Sequence, residues 1–388
     1  MDEMKQSNFK RLSTSSKPLA GTVKSKPTQR LPFANRRRST RLNRAACLIL
    51  IVGATLVVNV AIGEETPTKT PTDKSLSAIL RTPTMGGKQF WSDQLIHPPW
   101  RIQRHVLTDV CRLLDGSDRA VTWGNYRKCL EEFEQVKRQQ QVPSLKRRVV
   151  VVLHGAIRSR SSMASICQLI EKQTGYLAIN VSYASTRAKI SQHAIALRKI
   201  IEYLGPQVKE INFVAHSMGN LVIRHYLQDL KLQPGKSAVP PRIGRIVMLA
   251  PPNQGTELAA RVKNNPIFLA LWGVSGGEMA TWKTLAPRLG IPECEFGIIA
   301  GNPLPDQQGN PLIEGPDDLV VGVQETQLAG AHDFLVLPVS HSTIMYDQRV
   351  QDATLRFLQH GHFRSPALRH PIPAVRLPDP TLNPRGTP

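Results

Sequence analysis

Between residues 147 and 359, short β-branched runs alternate with helical stripes, and this alternation limits the fold more than any other feature of the chain. "RRVVVVLHG" at 147–155 is a continuous apolar run, as expected of a strand buried on both faces of a parallel sheet. A helical stripe of Met163, Ile166, Leu169 and Ile170 follows, and Gly175 closes it. The pattern then repeats: strand "LAINV" at 177–181, a helix at 193–204, strand "INFVA" at 211–215 and a helix at 220–230. Strands "RIVMLA" at 245–250, "EFGIIAG" at 295–301 and "FLVLPV" at 334–339 come next, with a helix at 348–359. Strand and helix in turn predict an α/β domain, a mostly parallel sheet flanked by helices.

Reactive groups in such a sheet gather at the carboxyl ends of the strands. Ser217 stands there, two residues past "INFVA", in "FVAHSMGNLVIRHYL". A nucleophile on so sharp a turn needs small neighbours two positions away on either side, which Ala215 and Gly219 supply. The turn also aims the Met218 N–H and the start of the following helix at a developing oxyanion. A serine alcohol needs a base. Of the six histidines after Ser217, His225 lies along the helix that follows the turn, His332 precedes a strand, and His360 and His362 follow the last helix. His370 is in the tail, which leaves His341, in "LPVSHSTIM", as the one beyond a strand's carboxyl end.

The base in turn needs a carboxylate to hold its tautomer. Asp317 and Asp318, in "EGPDDLVVGVQET", both qualify; Asp318 is preferred because the apolar "LVV" after it should anchor the loop. A second oxyanion donor is expected from the loop after the first core strand, at the Ala156 N–H of "LHGA", with His154 packing that loop. No cofactor is needed, and no spacing suggests a metal site.

Residues 147–363 resemble the α/β-hydrolase lipases and esterases, and lipase-like relatives that deacylate glycolipids. "VVVVLHG", "VAHSMGNLVIRHYL", "IVMLAPPNQGTELA", "DLVVGVQET" and "VSHSTIMYDQRVQDATLRFL" follow one another as they do in that family. The resemblance implies Ser217 as nucleophile, Asp318 as acid and His341 as base. Two positions depart from it: Ala215, where most members have Gly, and Leu319, where Gly is frequent.

A stretch at about 262–290, "NNPIFLALWGVSGGEMATWKTLAPRLG" at its heart, is inserted between two core strands. It is more apolar than an exposed insertion needs. It is expected to be a small helical cap whose Phe268, Leu271, Trp272 and Trp282 line an acyl pocket, with Gly273, Gly276 and Gly277 as hinge candidates.

The flanking segments carry no chemistry. Residues 1–44 hold 12 Lys and Arg against Asp2 and Glu3, about half of the formal +21, and are expected to form a disordered basic tail. "AACLILIVGATLVVNVAIG" at 45–63 is uncharged and sits between a signal h-region and a transmembrane anchor in length. Positive charge before it and "EE" after it predict export of the rest of the chain, either membrane-tethered or released by cleavage near Gly63. Residues 64–88 read as a Pro/Thr-rich linker, 89–142 as a helical extension with stripes of Val106, Val110, Leu113 and Leu114 and of Leu130, Phe133 and Val136, and 364–388 as a Pro-rich tail. Cys111 and Cys129 are the best-spaced candidates for a disulfide in an oxidising compartment.

Together these features predict an exported serine hydrolase of lipid-like esters, a monomer that binds no nucleic acid. An acyltransferase or thioesterase would use the same residues, and a catalytically silent envelope-binding protein would keep only the fold.

Overall fold

The computed structural model describes residues 89–232, 242–305 and 307–374. The expectations for the basic tail, for residues 45–63, for the 64–88 linker and for the end of the 364–388 segment lie outside these residues. No helix among the described residues is long and apolar enough to cross a membrane.

The first described elements correct the helical extension. Residues 89–125 form an antiparallel sheet of β1 (Trp91–His97), β2 (Trp100–His105), β3 (Cys111–Leu114) and β4 (Ala120–Gly124), in that spatial order. Only the end of the expected extension is helical: α1 (Tyr126–Gln139), capped by the Asn125 side chain on the Lys128 N–H. Pro98 and Pro99 interrupt any helix there. Both faces of the strands are buried and differ in chemistry: Leu95, Ile102 and Leu113 pack on Phe133 and Val136 of α1, while Arg101, Gln103 and Arg112 are buried on the opposite face. Val110, placed on the expected stripe, is exposed. Cys111 and Cys129 both lie in this small core as free thiols, so the expected bridge is absent.

The small sheet is tied to the rest of the body by a buried carboxylate. Asp93 accepts from Arg101 Nη1 at 2.9 Å, Gln103 Nε2 at 2.9 Å and the Ser182 N–H at 2.6 Å, while its own N–H donates to Ser182 O. Burial nonetheless raises its pKa. An uncompensated charge there would be costly, and three donors to the carboxylate keep the group tolerable.

The main sheet comprises β5 (Arg148–Leu153), β6 (Leu177–Val181), β7 (Glu210–His216), β8 (Ile243–Leu249), β9 (Phe296–Gly301) and β10 (Asp333–Leu337). All are parallel, in the order β10-β9-β8-β7-β5-β6. β5 shows why its sequence is continuously apolar. Val149, Val151 and Leu153 enter one core with the helices α3 (Ile190–Tyr203) and α4 (Met218–Lys231). Val150 and Val152 enter the opposite core with α2 (Ala164–Thr174) and α8 (Gln348–His360). Both faces are covered, as a parallel sheet requires.

Between β8 and β9 lie α5 (Glu257–Val262), α6 (Pro266–Ala280) and α7 (Trp282–Leu285), the expected cap. α6 breaks at Gly273 (φ 57°, ψ −146°). A Cβ there would sit 2.0 Å from the Thr186 carbonyl, so this glycine permits a tight contact rather than a hinge. Three bonds fasten the second half of α6 to the segment after β6: Val274 N–H to Thr186 O, Ser275 Oγ to Ala188 O, and Glu278 Oε2 accepting from Ile190 N–H. The chain after α8 is also pinned where a tail was expected. Asp333 accepts from the Phe363 and His370 N–H groups, and Ile372 exchanges backbone bonds with Gly330 and Ala331.

Candidate active site

Ser217 follows β7 directly and caps α4, with φ 53° and ψ −125°. Positive φ is unfavourable for a residue with a Cβ and costs about 1–3 kcal/mol, so the surroundings must hold it. Gly219 is one reason they do. A Cβ at 219 would lie 2.8 Å from the His154 carbonyl and 3.0 Å from Leu153 Cβ, so a side chain would push the turn off β5.

His341 lies four residues past β10, and its Nε2 is 2.9 Å from Ser217 Oγ. Its Nδ1 is 2.7 Å from Asp318 Oδ2. Asp318 lies between β9 and β10; its Oδ1 accepts from the Val320 and Val321 N–H groups at 3.0 and 2.7 Å, and its carbonyl accepts from the His341 N–H at 2.9 Å. All three side chains are buried. The "LVV" after Asp318 thus does anchor the loop, through backbone donors that orient the carboxylate. Asp317 points elsewhere and accepts from the Asn310 and Leu319 N–H groups. Leu319 has φ 81°, which accounts for the glycine that similar sequences often have there.

Met218 is the first residue of α4, so its N–H has no partner within the helix. The loop bearing Ala156 packs against the serine: a Cβ on Gly155 would meet His216 Nδ1 at 2.8 Å and Ser217 Cβ at 3.1 Å. Among the described residues, neither the Met218 nor the Ala156 N–H donates to a backbone carbonyl. His154 packs this loop as expected. It stacks on Tyr183 with ring centroids 4.2 Å apart, and burial pushes its pKa down to about 4.

A small cavity of about 20 Å³ opens beside Ser217, with Phe268, Trp272, Met279, Val320 and Val321 among its walls. Phe268 and Trp272 lie one turn apart on α6 and their rings stack at 5.5 Å. Two other cap residues expected in the pocket are not there. Leu271 is one step round the helix from Trp272 and faces solvent. Trp282 packs beside Gly255, where a Cβ would come within 2.8 Å of its ring, and against the main core.

Two contributors escaped the sequence reading. His216, next to the serine, donates from Nε2 to the His341 carbonyl at 3.0 Å. Burial first, and the His341 and Arg158 charges after it, hold its pKa well below the usual imidazole value, so it stays neutral. Arg224 of α4 is buried and, among the described residues, pairs with no carboxylate. It donates to Gly290 O and to both oxygens of Asn253, and Asn253 Nδ2 donates to Thr326 O. This network steadies the loop after β8, whose Pro252 also lines the cavity. Both lie within "VAHSMGNLVIRHYL", but no periodicity sets either apart from its neighbours. Among the described residues, no group of three or more His, Cys, Asp or Glu side chains could hold a metal ion.

Residues 144–265 match a family described as an alpha/beta hydrolase of unknown function (DUF900). No curated protein matches the chain. Among solved structures, the chain is similar to the lin2722 gene product of Listeria innocua, at 15% identity over 55% of this chain and 94% of that one, with a TM-score of 0.38. It is similar to the mature lipase BlEst2 of Bacillus licheniformis at 18% identity, over 52% of this chain and 88% of that one, TM-score 0.36. It is similar to phospholipase PlaB from Legionella pneumophila at 17% identity, over 47% and 45%, TM-score 0.37. The match over residues 144–265 and the parallel sheet with its flanking helices show the α/β-hydrolase fold.

Proposed function

We propose that this protein hydrolyses carboxylic esters through an acyl-enzyme on Ser217. The observation that carries the reading is the unbroken line Ser217 Oγ–His341 Nε2–Asp318 Oδ2, at 2.9 and 2.7 Å, on a strained turn. Ser217 attacks the ester carbonyl while His341 takes its proton. Asp318 fixes the tautomer that leaves Nε2 free to accept, and stabilises the imidazolium that forms. The Met218 and Ala156 N–H groups receive the charge that develops on the carbonyl oxygen. His341 returns the proton to the departing alcohol. Water, activated by the same imidazole, then releases the acid.

The apolar cavity supports an acyl group as the part of the substrate held beside the serine. About 20 Å³ is room for a water-sized group, so a long acyl chain enters only after Phe268 and Trp272 move aside. Attachment to a membrane through residues 45–63, with the catalytic body on the exported side, belongs to the same proposal. Hydrolysis of p-nitrophenyl esters from short to long acyl chains by the full chain, beside Ser217→Ala, tests it. Turnover that the substitution abolishes is expected; turnover that survives it refutes the assignment.

A further inference from the structure

One residue beyond Ile157, the loop after β5 carries a guanidinium that the proposed reaction does not use. Ile157 is held at φ 62°, a left-handed turn rare for a β-branched side chain. Beyond it, Arg158 Nη2 donates to the carbonyl of Ser342, next to His341, at 3.0 Å. Arg158 is half-buried. Among the described residues no carboxylate pairs with it, and the Ser342 carbonyl is the only acceptor of its side chain. Neighbouring Arg160, by contrast, is paired with Asp118. Residues 156–165 and 338–346, which meet at the Arg158–Ser342 bond, contain no Asp or Glu. An anion arriving there meets a cation with free donors; the acid that follows the second stretch, Asp347, is held by Arg349.

The placement relative to the triad says which part of a substrate would carry that anion. No residue of 156–165 or 338–346 lines the apolar cavity. Arg158 therefore lies outside the acyl pocket, on the His341 side, where the alcohol departs. We infer that Arg158 selects esters whose alcohol carries an anionic group, phosphate or carboxylate. This rests on the ester-hydrolase reading of Ser217. In the step itself, Ser217 Oγ bonds to the carbonyl carbon and the bond from that carbon to the alcohol oxygen breaks. The proton taken from Ser217 passes through His341 to the alcohol, which leaves with its anionic group unchanged. A planar guanidinium with four of its five N–H donors still free suits either oxyanion.

The test uses the full chain and three esters of one short acyl group, with glycerol, glycerol 3-phosphate and lactate as the alcohols. The wild type should prefer the anionic esters in kcat/KM. In Arg158→Gln that preference should fall about tenfold, as loss of a charged hydrogen-bond partner implies, and Arg158→Lys should keep part of it. A preference for the phosphate ester alone identifies phosphate as the group read; preference for both shows that one negative charge suffices. An equal loss on all three esters would make Arg158 a brace for the His341 loop and overturn the inference, as would a wild type that is indifferent to charge. Inorganic phosphate gives a reading that needs no turnover. Its ³¹P line should broaden with Ser217→Ala protein and stay sharp when Arg158→Gln is added. If no ester is turned over, the hydrolase reading fails, and this measurement alone decides whether Arg158 binds anions; equal broadening in both proteins refutes it.

Discussion

Three imidazoles buried around the site tie the stability of this fold to pH, and replacing one of them gives a measurable difference. His154 is pushed down to about 4 and His193 to about 3, in each case mainly by burial, and His216 lies well below the usual value for the same reason. His193 Nε2 has no partner at all. In the unfolded chain each titrates near pH 6.5. Below that pH the unfolded state binds protons that the folded state refuses, so stability is full above about pH 6.5 and falls as the pH drops towards the folded values. Between about pH 7.5 and pH 5 the loss is roughly 2 kcal/mol for each of His154 and His193, and His216 acts in the same direction. That is a large part of the whole stability of many domains, about 5–15 kcal/mol. His193→Phe keeps a ring against Tyr183, whose centroid lies 4.8 Å away, and removes one of the three titrations. Urea unfolding followed by tryptophan fluorescence at the two pH values should show the wild type losing about 2 kcal/mol more than the variant. Asp93, Asp317 and Glu325, which burial raises, act in the opposite sense. They are common to both proteins and cancel in the difference. Equal losses would mean that His193 is protonated in the folded protein, and the argument from burial would be wrong.

Other expectations rest on single contacts. Asp318→Asn should lower kcat by about three to four orders of magnitude with the fold kept, because an amide nitrogen cannot hold the His341 tautomer. Asp317→Asn, which touches only backbone donors, should cost about 1 kcal/mol in urea unfolding and leave kcat within a few-fold; a larger fall in kcat than that of Asp318→Asn would reverse the assignment. Trp272→Ala should move the acyl-length optimum of p-nitrophenyl esters to longer chains, and an unchanged profile would remove α6 from the acyl pocket. Gly273→Ala should destabilise the protein by more than about 2 kcal/mol, since the new methyl group meets the Thr186 carbonyl and the backbone is left-handed.

How much of the fold and the site was legible in the sequence depended on whether a local pattern carried it. The six parallel strands were readable because a strand covered on both faces must be apolar throughout, and Val149–Val152 show it directly. The turn at Ser217 was readable because small residues had to flank it. That Asp318 rather than Asp317 meets His341 was readable only through the anchoring role of the residues after it. The antiparallel sheet at 89–125 was misread. In short strands such as Cys111–Leu114, two adjacent leucines fit a helical stripe as well as a pleat, and the deciding signals were the two prolines at 98 and 99 and the alternation of Trp100 and Ile102 with polar residues. His216, Arg224 and the docking of Ile372 depend on contacts between residues far apart in the chain, which no local pattern encodes. In the cap, the sequence reading could not separate Trp272 from Trp282. Both are large and apolar and both pack against the main core, but only Trp272 also lines the cavity beside Ser217.

The most direct test of the account is the covalent one. The full chain, treated with a fluorophosphonate and digested, should carry one adduct, on the peptide containing Ser217, and Ser217→Ala should carry none. Labelling should also slow steeply in His341→Ala, because the serine then has no base. A folded protein that takes no label, or takes it on another residue, would contradict the reading of Ser217 as an activated nucleophile.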